Sequence, residues 1–558
     1  MKKILFFALV ALTLQVFFSC EDKDNSGEVT TEVVKVPETP AQAAALVNAV
    51  YGPLQTLSSS YSFFLENATE TTVCFEDVDG VDGPQISEFL TNDNNWYVTK
   101  IFNRLYSSIY AANTAIDQIS QAESANVDTQ DSPYAAGIKK ETLIARAKFI
   151  RGYDYFQLVQ FFGEVPIITS YQPAPTDEQK TTRRTIDEVY TQAVTDLEEA
   201  IPNLPQYSSD KSVPSALAAK AILSKIYLTW GQHPLSQSEV ETIKTSVNDP
   251  AKPAPDNTKL AKAIAFADEV ISSGQYSLKP DFNTIWGVGN ENNEEVIFSI
   301  HHDGDGIDAQ GNHQTHCGYT WPKDERADPH IQWADISFES ALSDGDTRKL
   351  YSYATYVSFS DGNIDTLTWP LSVVRPGKWI HRDGTGTINT LDNQPNNIDR
   401  IDFRLAEIYL VKAEAQYYSN SGDKGLAAVN KVRERATLEL LSTVSEAAIH
   451  QEWQNEFAFE QKHWPNLIRW RKLVSSVKDN VPGYEYYKDV YNNKALFDAY
   501  SYNGIAADPS RFAFYSRIYK HLHSKVNNVT GKFYRFPIPA TADDKSTALN
   551  ITPQNPGF

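Results

Sequence analysis

The sequence predicts a mainly α fold, built from stacked helix pairs and broken by one long loop-rich, partly β insertion. Three observations predict it. Apolar residues recur at helical spacing through most of residues 41–276 and again through 401–558, and the periodic runs end at glycine or open at proline. Between 277 and 400 that spacing vanishes, and Gly, Asp, Asn, Thr and aromatic residues take over. The 558 residues are 41% hydrophobic, which supports a sizeable core and excludes a disordered chain.

Each element has its own signal. Alanine-rich residues 41–51 open the helical part. From Trp96 to Ile119, Ile101, Leu105, Ile109, Ala112 and Ile116 keep helical spacing. A longer run, Ile138 to Phe162, stops at Gly163. Residues 186–201 and 216–230 form a further pair, the second entered through Pro214-Ser215, and 260–271 is closed by Gly274. Helix pairs recurring at this size predict a tetratricopeptide-like solenoid, in which each repeat buries its face against the next. The consensus signature of that repeat is not present. Inside the 277–400 insertion, Glu295-Val296-Ile297-Phe298-Ser299-Ile300 reads as a strand. Beyond it, Phe403–Tyr418 and Lys424–Arg435 restore a helix pair around Gly422, and 447–472 predicts one more long helix. A long irregular segment inside a helical array is usually functional.

The N-terminus predicts a compartment. Met1-Lys2-Lys3 precedes an apolar run from Ile4 to Phe18, then Ser19-Cys20. That order is a secretory signal peptide over residues 1–19, too short to be a good membrane span. Phe17-Phe18-Ser19-Cys20 resembles a bacterial lipobox, which makes Cys20 the lipidated first residue of the mature chain. Several acyl chains on one Cys anchor stably, since each buried CH₂ contributes roughly 0.8 kcal/mol. Residues 20–40 then form a polar tether, opening on the acidic Glu21-Asp22-Lys23-Asp24. Lipoproteins with such an acidic start resemble those exported to the outer face of the outer membrane. A net charge of −21, with 50 Lys+Arg against 71 Asp+Glu, argues against nucleic acid and anionic lipid surfaces as partners.

Four stretches carry a family resemblance. One is Ala145-Arg146-Ala147-Lys148-Phe149-Ile150-Arg151-Gly152-Tyr153 with Gly163-Glu164-Val165-Pro166. Another runs from Arg404 through Glu407 and Glu414 to Val429-Asn430-Lys431-Val432-Arg433. The others are Glu456-Phe457-Ala458-Phe459-Glu460 with Trp464, Arg469 and Trp470, and Phe536-Pro537-Ile538-Pro539 with the terminal Gln554-Asn555-Pro556-Gly557-Phe558. In that order and behind a lipobox, they resemble the SusD/RagB family of nutrient-binding surface lipoproteins. Gln461 and His463 stand where that family more often has Gly and Arg, and Trp453 stands where Arg is common. The motif residues themselves read as scaffold, with Glu407, Glu414 and Arg433 pairing between helices.

The resemblance implies a non-catalytic protein that binds a polysaccharide or oligosaccharide. It also implies a partner, a SusC-like TonB-dependent outer-membrane transporter. A pyranose offers an apolar face for Trp or Tyr and a rim of hydroxyls for polar groups, so a site should expose rings from polar loops. Half of the ten Trp (Trp286, Trp321, Trp333, Trp369 and Trp379) lie in the insertion. Tyr319 and Trp321, in a long polar loop, are the leading stacking candidates, with Trp333 beside them in sequence. Trp96 and Asn95, after Asn92-Asp93-Asn94 at a helix start, come next. Trp286, Trp453, Trp464 and Trp470 read as core.

No catalytic motif emerges: there is no nucleophile elbow, Walker A loop or Rossmann glycine pattern, and no motif nominates a carboxylate pair for glycoside hydrolysis. The rival readings are a helical scaffold that binds only proteins, a peptide-capturing lipoprotein of the same transporter system, and a surface glycosidase. His301, His302, His313, His316 and His330 gather near Cys317 without zinc-site spacing. Asp77–Asp82 and Asp303–Gly306 both fail the EF-hand pattern and read as solvated turns, with a calcium site of another kind as the alternative. No cofactor is expected. Cys74 and Cys317 read equally as a disulfide or as two buried thiols.

Overall fold

Helix α1 (Pro40–Asn48) starts at a capping box, where the Thr39 hydroxyl accepts from the Gln42 N–H and the Gln42 side chain returns to the Thr39 backbone. These reciprocal bonds satisfy two of the donors that any helix start leaves open. The computed structural model describes residues 35–61, 65–74, 81–128, 138–171, 182–287, 289–302, 345–354, 356–358, 364–366, 399–479, 512–540 and 553–558, with short pieces at 333–334, 375–376, 378, 501–502, 505–506 and 551. From Val36 to Phe558 they form one compact unit.

Helices α2 (Gly52–Tyr61), α3 (Asp82–Ser87) and α4 (Trp96–Gln121) follow. The periodic residues Ile101, Leu105, Ile109, Ala112 and Ile116 are all buried on α4. The row continues with α5 (Lys140–Phe162), α6 (Ile186–Ala200), α7 (Ala216–Gly231) and α8 (Asn257–Ser272). Their ends are explicit: Gly163 stops α5 at a φ of 76°, Thr185 caps α6 through a second capping box, and Ser215 and Asp256 cap α7 and α8. Each helix from α4 onward packs on the next in the row, the arrangement that a helical-repeat array predicts.

Helix α8 packs directly on α9 (Leu405–Tyr418) although the whole insertion lies between them. The insertion leaves the row through β2 (Val296–Ile300) and returns through β4 (Arg400–Arg404). The two strands pair antiparallel, from Val296↔Arg404 to Ile300↔Arg400, with register shifts at Phe298. Every residue of both strands is buried, which matches a strand covered on both faces. Phe282, Ile285, Trp286, Val296 and Ile401 form a small core of their own at this base. Tyr356–Ser358 pairs antiparallel with Ile364–Thr366, and Tyr353–Ala354 with Arg375–Pro376. The fold class is thus mainly α, with a partly β insertion.

Helices α10 (Leu426–Arg435), α11 (Glu446–Glu456), α12 (His463–Trp470), α13 (Leu473–Asp479) and α14 (Phe512–Asn528) complete the chain. The single long helix expected over 447–472 is instead two. Phe459 and Gln461 adopt left-handed backbone, with φ of 61° and 62°, so the helix cannot continue through them. That explains why glycine is common where Gln461 stands. Trp453, Trp464 and Trp470 are buried.

Candidate functional site

Asn95 builds the site's most exposed aromatic from below. It is fully buried and caps α4, its Oδ1 accepting the Val98 N–H at 3.3 Å. Its amide donates to the Asp82 carbonyl at 3.0 Å and to Gln85 Oε1 at 3.4 Å. Asp82 Oδ1 in turn accepts the Trp96 N–H at 3.1 Å. Both ends of the Asn95 amide are therefore occupied within the protein, and Asn95 positions its neighbour rather than presenting itself. Trp96, the first residue of α4, is 52% exposed. Tyr97 stands edge-on to its ring, 4.9 Å between centroids. Val81 and Leu90 are also exposed, so residues 81–96 hold half of the six large exposed apolar side chains among the described residues. Single exposed apolar residues need no explanation; Trp96 stands out for its size and its fixed position at the helix start.

Lys100 lies one turn along α4 with its Nζ 4.6 Å from the Trp96 ring centroid. Arg104 follows another turn on. Trp96, Lys100 and Arg104, at successive i, i+4 positions, share one helix face.

Of the insertion's candidates, Trp333 is described by its backbone. Strand β3 (Trp333–Ala334) pairs antiparallel with β1 (Thr72–Val73), Trp333 opposite Val73 and Ala334 opposite Thr72. The next residue, Cys74, donates its N–H to Ser87 Oγ of α3 at 3.2 Å. The insertion thereby touches the chain that leads into the Trp96 loop. Helix α14 braces the same place: Lys525 Nζ reaches the carbonyls of Asn67 and Thr72 at 3.1 and 2.8 Å, and His521 bonds Ser87 at 2.9 Å and Glu88 at 2.7 Å. Tyr319 and Trp321 lie outside the described residues. So do Cys317 and the Asp303–Gly306 turn; Cys74 is buried. Of the other acidic turn only Val81 and Asp82 are described, and Asp82 is taken by the α4 start. Among the described residues no group of three His, Cys, Asp or Glu is arranged to hold a metal.

Two of the family-like motifs meet in a buried charge network. Arg404 binds Glu460 through Nε and Nη2 at 2.9 and 2.7 Å, Glu295 through Nη1 at 2.8 Å, and the Glu456 carbonyl through Nη2 at 2.9 Å. Arg435 reaches Glu456 and Glu295, Arg348 reaches Glu452, Glu456 and Asp346, and Lys378 reaches Glu460. Burial alone would push the Glu456 carboxyl up, but Arg435, Arg404 and Arg348 together hold it well below the usual carboxylate range. A second knot joins Glu414 to Arg469 by a two-pronged pair at 2.9 and 2.7 Å, with Gln232 and Trp470 also donating to it. Glu407 sits between Lys225 at 3.2 Å and Lys462 at 3.1 Å. Arg433 pairs with Glu452 at 3.1 Å. These carboxylates are each paired with buried or half-buried cations, which ties the helices that carry them together. A cavity of about 50 Å³ opens beside Gln157, Gln160, Lys225, Asp402 and Lys462. That is room for ordered water.

Two family profiles match the chain: one described as starch-binding and associating with the outer membrane, over residues 30–228, and the SusD family itself, over 284–558. The chain belongs to the SusD/RagB family. It is similar to SusD-like protein P2 of Formosa agariphila, 24% identical over 510 residues, covering 83% of this chain and 89% of that protein. A SusD homolog from Bacteroides thetaiotaomicron superposes with a TM-score of 0.67 at 20% identity, covering 93% of this chain and 97% of that one. A laminarin-binding SusD-like protein superposes at 0.64 with 22% identity, covering 93% and 100%. Two of the four SusD/RagB-like stretches, those around Arg404–Arg433 and Glu456–Trp470, supply residues to the buried network.

Proposed function

We propose that this protein is a non-catalytic, cell-surface glycan-binding lipoprotein. It is anchored in the outer membrane through Cys20 and faces the exterior. It captures an oligosaccharide or polysaccharide and delivers it to a SusC-like TonB-dependent transporter. The observation that carries the reading is Trp96: an indole more than half exposed, on a capped helix start, beside a polar loop. A flat apolar ring rigidly held is what the C–H face of a pyranose stacks on. Trp333, Tyr319 and Trp321 are assigned the same role from the insertion side, and Asn95 the role of orienting Trp96. Support comes from the family profile described as starch-binding and from a structural neighbour that binds laminarin.

Affinity electrophoresis against a panel of polysaccharides tests this. Retention by wild type and its loss in Trp96→Ala and Trp321→Ala is the expected result. Unchanged retention in both variants sinks the stacking role, and absence of retention across the panel favours a scaffold that binds only proteins. Hydrolysis of any glycan at low protein loading would revive the glycosidase. Cys20→Ala is expected to move the protein from the membrane to the soluble fraction, read by fractionation of cells.

A further inference from the structure

We propose that His521, Ser524 and Asn528 of α14 are positioning residues for Trp96, acting on it through the short helix α3. This rests on the reading of Trp96 as a stacking platform and adds what holds that platform in place. At positions i, i+3 and i+7 the three side chains share one face of α14, and all three converge on Glu88, the residue that ends α3. His521 Nδ1 lies 2.7 Å from Glu88 Oε1, the Ser524 hydroxyl donates to Glu88 Oε2 at 2.9 Å, and the Asn528 amide donates to the Glu88 carbonyl at 3.0 Å. The Asn528 amide also donates to Ser524 Oγ at 2.9 Å, and His521 Nε2 meets Ser87 Oγ at 2.9 Å.

The other end of α3 holds Trp96. Six residues long, α3 is a rod of about 9 Å. At its start Asp82 Oδ1 accepts the Trp96 N–H at 3.1 Å, and the Asp82 carbonyl accepts the Asn95 amide at 3.0 Å. Gln85 accepts from the same amide at 3.4 Å through its side chain, and its carbonyl accepts the Leu90 N–H at 2.8 Å. One end of a short rigid element is thus gripped by α14, and the other grips the first residue of α4. The first turn of a helix frays unless its open N–H groups are met. Here those of Trp96 and Val98 are met by Asp82 and Asn95.

The backbone between the two grips is constrained as well. Phe89, next after Glu88, is a buried non-glycine residue with a φ of 55°, a conformation that persists only where the surroundings over-determine it. Its ring packs edge-on against Phe533, in the turn that follows α14, at 5.1 Å between centroids. Further along, the Ala540 N–H donates to the Asp93 carbonyl at 2.9 Å, three residues before Trp96. Residues from 521 onward therefore hold this segment at Ser87, Glu88, Phe89 and Asp93. A stacking platform gains affinity when its direction is set beforehand, because a loose indole and its loop must be ordered anew in each binding event.

The test uses the full-length mature protein labelled with 5-fluorotryptophan, so that fluorine NMR reads the surroundings of each indole without a ligand. The Trp96 signal is assigned by its loss in Trp96→Phe, and circular dichroism is the folding check. In Ser524→Ala/Asn528→Ala that signal is expected to shift or broaden. In Asn430→Ala, which removes two hydrogen bonds to Leu441 beside α10, it should stay where it is in wild type. An unmoved signal in the double variant, or an equal change in Asn430→Ala, overturns the positioning role. Retention is then measured on laminarin, polygalacturonate and a sulfated galactan. The double variant should weaken retention of each polymer that wild type holds by about two- to tenfold, the scale of ordering one side chain afresh. Undiminished retention beside a moved signal also overturns the role, and where wild type holds none of the three the fluorine signal alone decides. The stacking platform falls separately if Trp96→Ala leaves retention intact, an outcome that does not alter the fluorine result.

Discussion

Arg404 shows how one residue sets the architecture around it. Its guanidinium binds Glu295 at the start of β2 and both Glu456 and Glu460 at the break between α11 and α12. A lysine cannot reproduce that fork. Arg404→Met is expected to destabilise by about 3–5 kcal/mol, because it leaves buried carboxylates short of a counter-charge; urea unfolding measures it, and Arg404→Lys should recover little of the loss. Glu66 behaves in the opposite sense. Burial pushes its carboxyl up from 4.5 to about 7, against the pull of His463, the Gln461 N–H and Lys378 and with the push of Glu460. The folded state thus binds a proton that the unfolded state releases, so this contribution is complete below pH 4.5 and is lost as pH rises through about 7. Nearby His463 shifts upward too: burial would lower it, and the Glu70 carboxylate at 2.7 Å outweighs burial. Its contribution is also lost on raising pH. Glu66→Gln keeps the neutral shape without the proton, so melting temperatures across about pH 5 to about pH 8 should fall less in the variant than in wild type. An equal fall in both would refute this account.

At the scale of elements, close approach and capping decide which helices can meet. A Cβ on Gly152 of α5 would sit 2.8 Å from the Ala193 carbonyl of α6, and 3.0 Å from Leu197. The glycine lets the two backbones touch. Gly152→Val is expected to lose about 1–3 kcal/mol by forcing them apart, read by thermal unfolding; a stable variant would show that the helix pair can shift freely. The start of α4 depends on Asn95 in the same way. Asn95→Ala removes a cap and the tie to Asp82, at a cost of about 1 kcal/mol. It should weaken glycan retention more than that small loss suggests, because Trp96 loses its fixed direction. Retention equal to wild type would mean that the cap is structural only.

At the largest scale, residues 554–558 tie together segments far apart in sequence. Asn555 donates to the carbonyls of Phe162 at 3.0 Å and Phe536 at 2.6 Å, and accepts from Arg183 at 2.5 Å. Gln554 bonds both the N–H and the carbonyl of Ile538. Phe558 packs edge-on against Phe533. The C-terminus thus ties the end of α5 to the segment after α14. Ending the chain at residue 550 leaves the Phe162 and Phe536 carbonyls without their Asn555 donor and should cost several kcal/mol, since each unmet buried group costs about 1–3. Calorimetry would show it as a lowered melting temperature, and an unchanged one would mean that the tail is dispensable.

The sequence by itself determined the mainly α class, the helix ends at Gly163 and Ser215, the buried character of Trp453, Trp464 and Trp470, and the family. Those features are local: they depend on periodicity, caps and short motifs that each segment carries within itself. The tertiary structure decided the rest. It split the helix expected over 447–472 at the left-handed Phe459 and Gln461, where Arg404 of a segment far away in sequence binds Glu460 and the Glu456 carbonyl. It brought Trp333 beside Val73 through a strand pairing that no local pattern announces. It made Asn95, a candidate ligand contact in the sequence, a fully buried cap at the start of α4, both amide donors and one lone pair of its oxygen engaged within the protein. Spacing can reveal which side chains share a helix face. Which distant groups meet there is a property of packing alone.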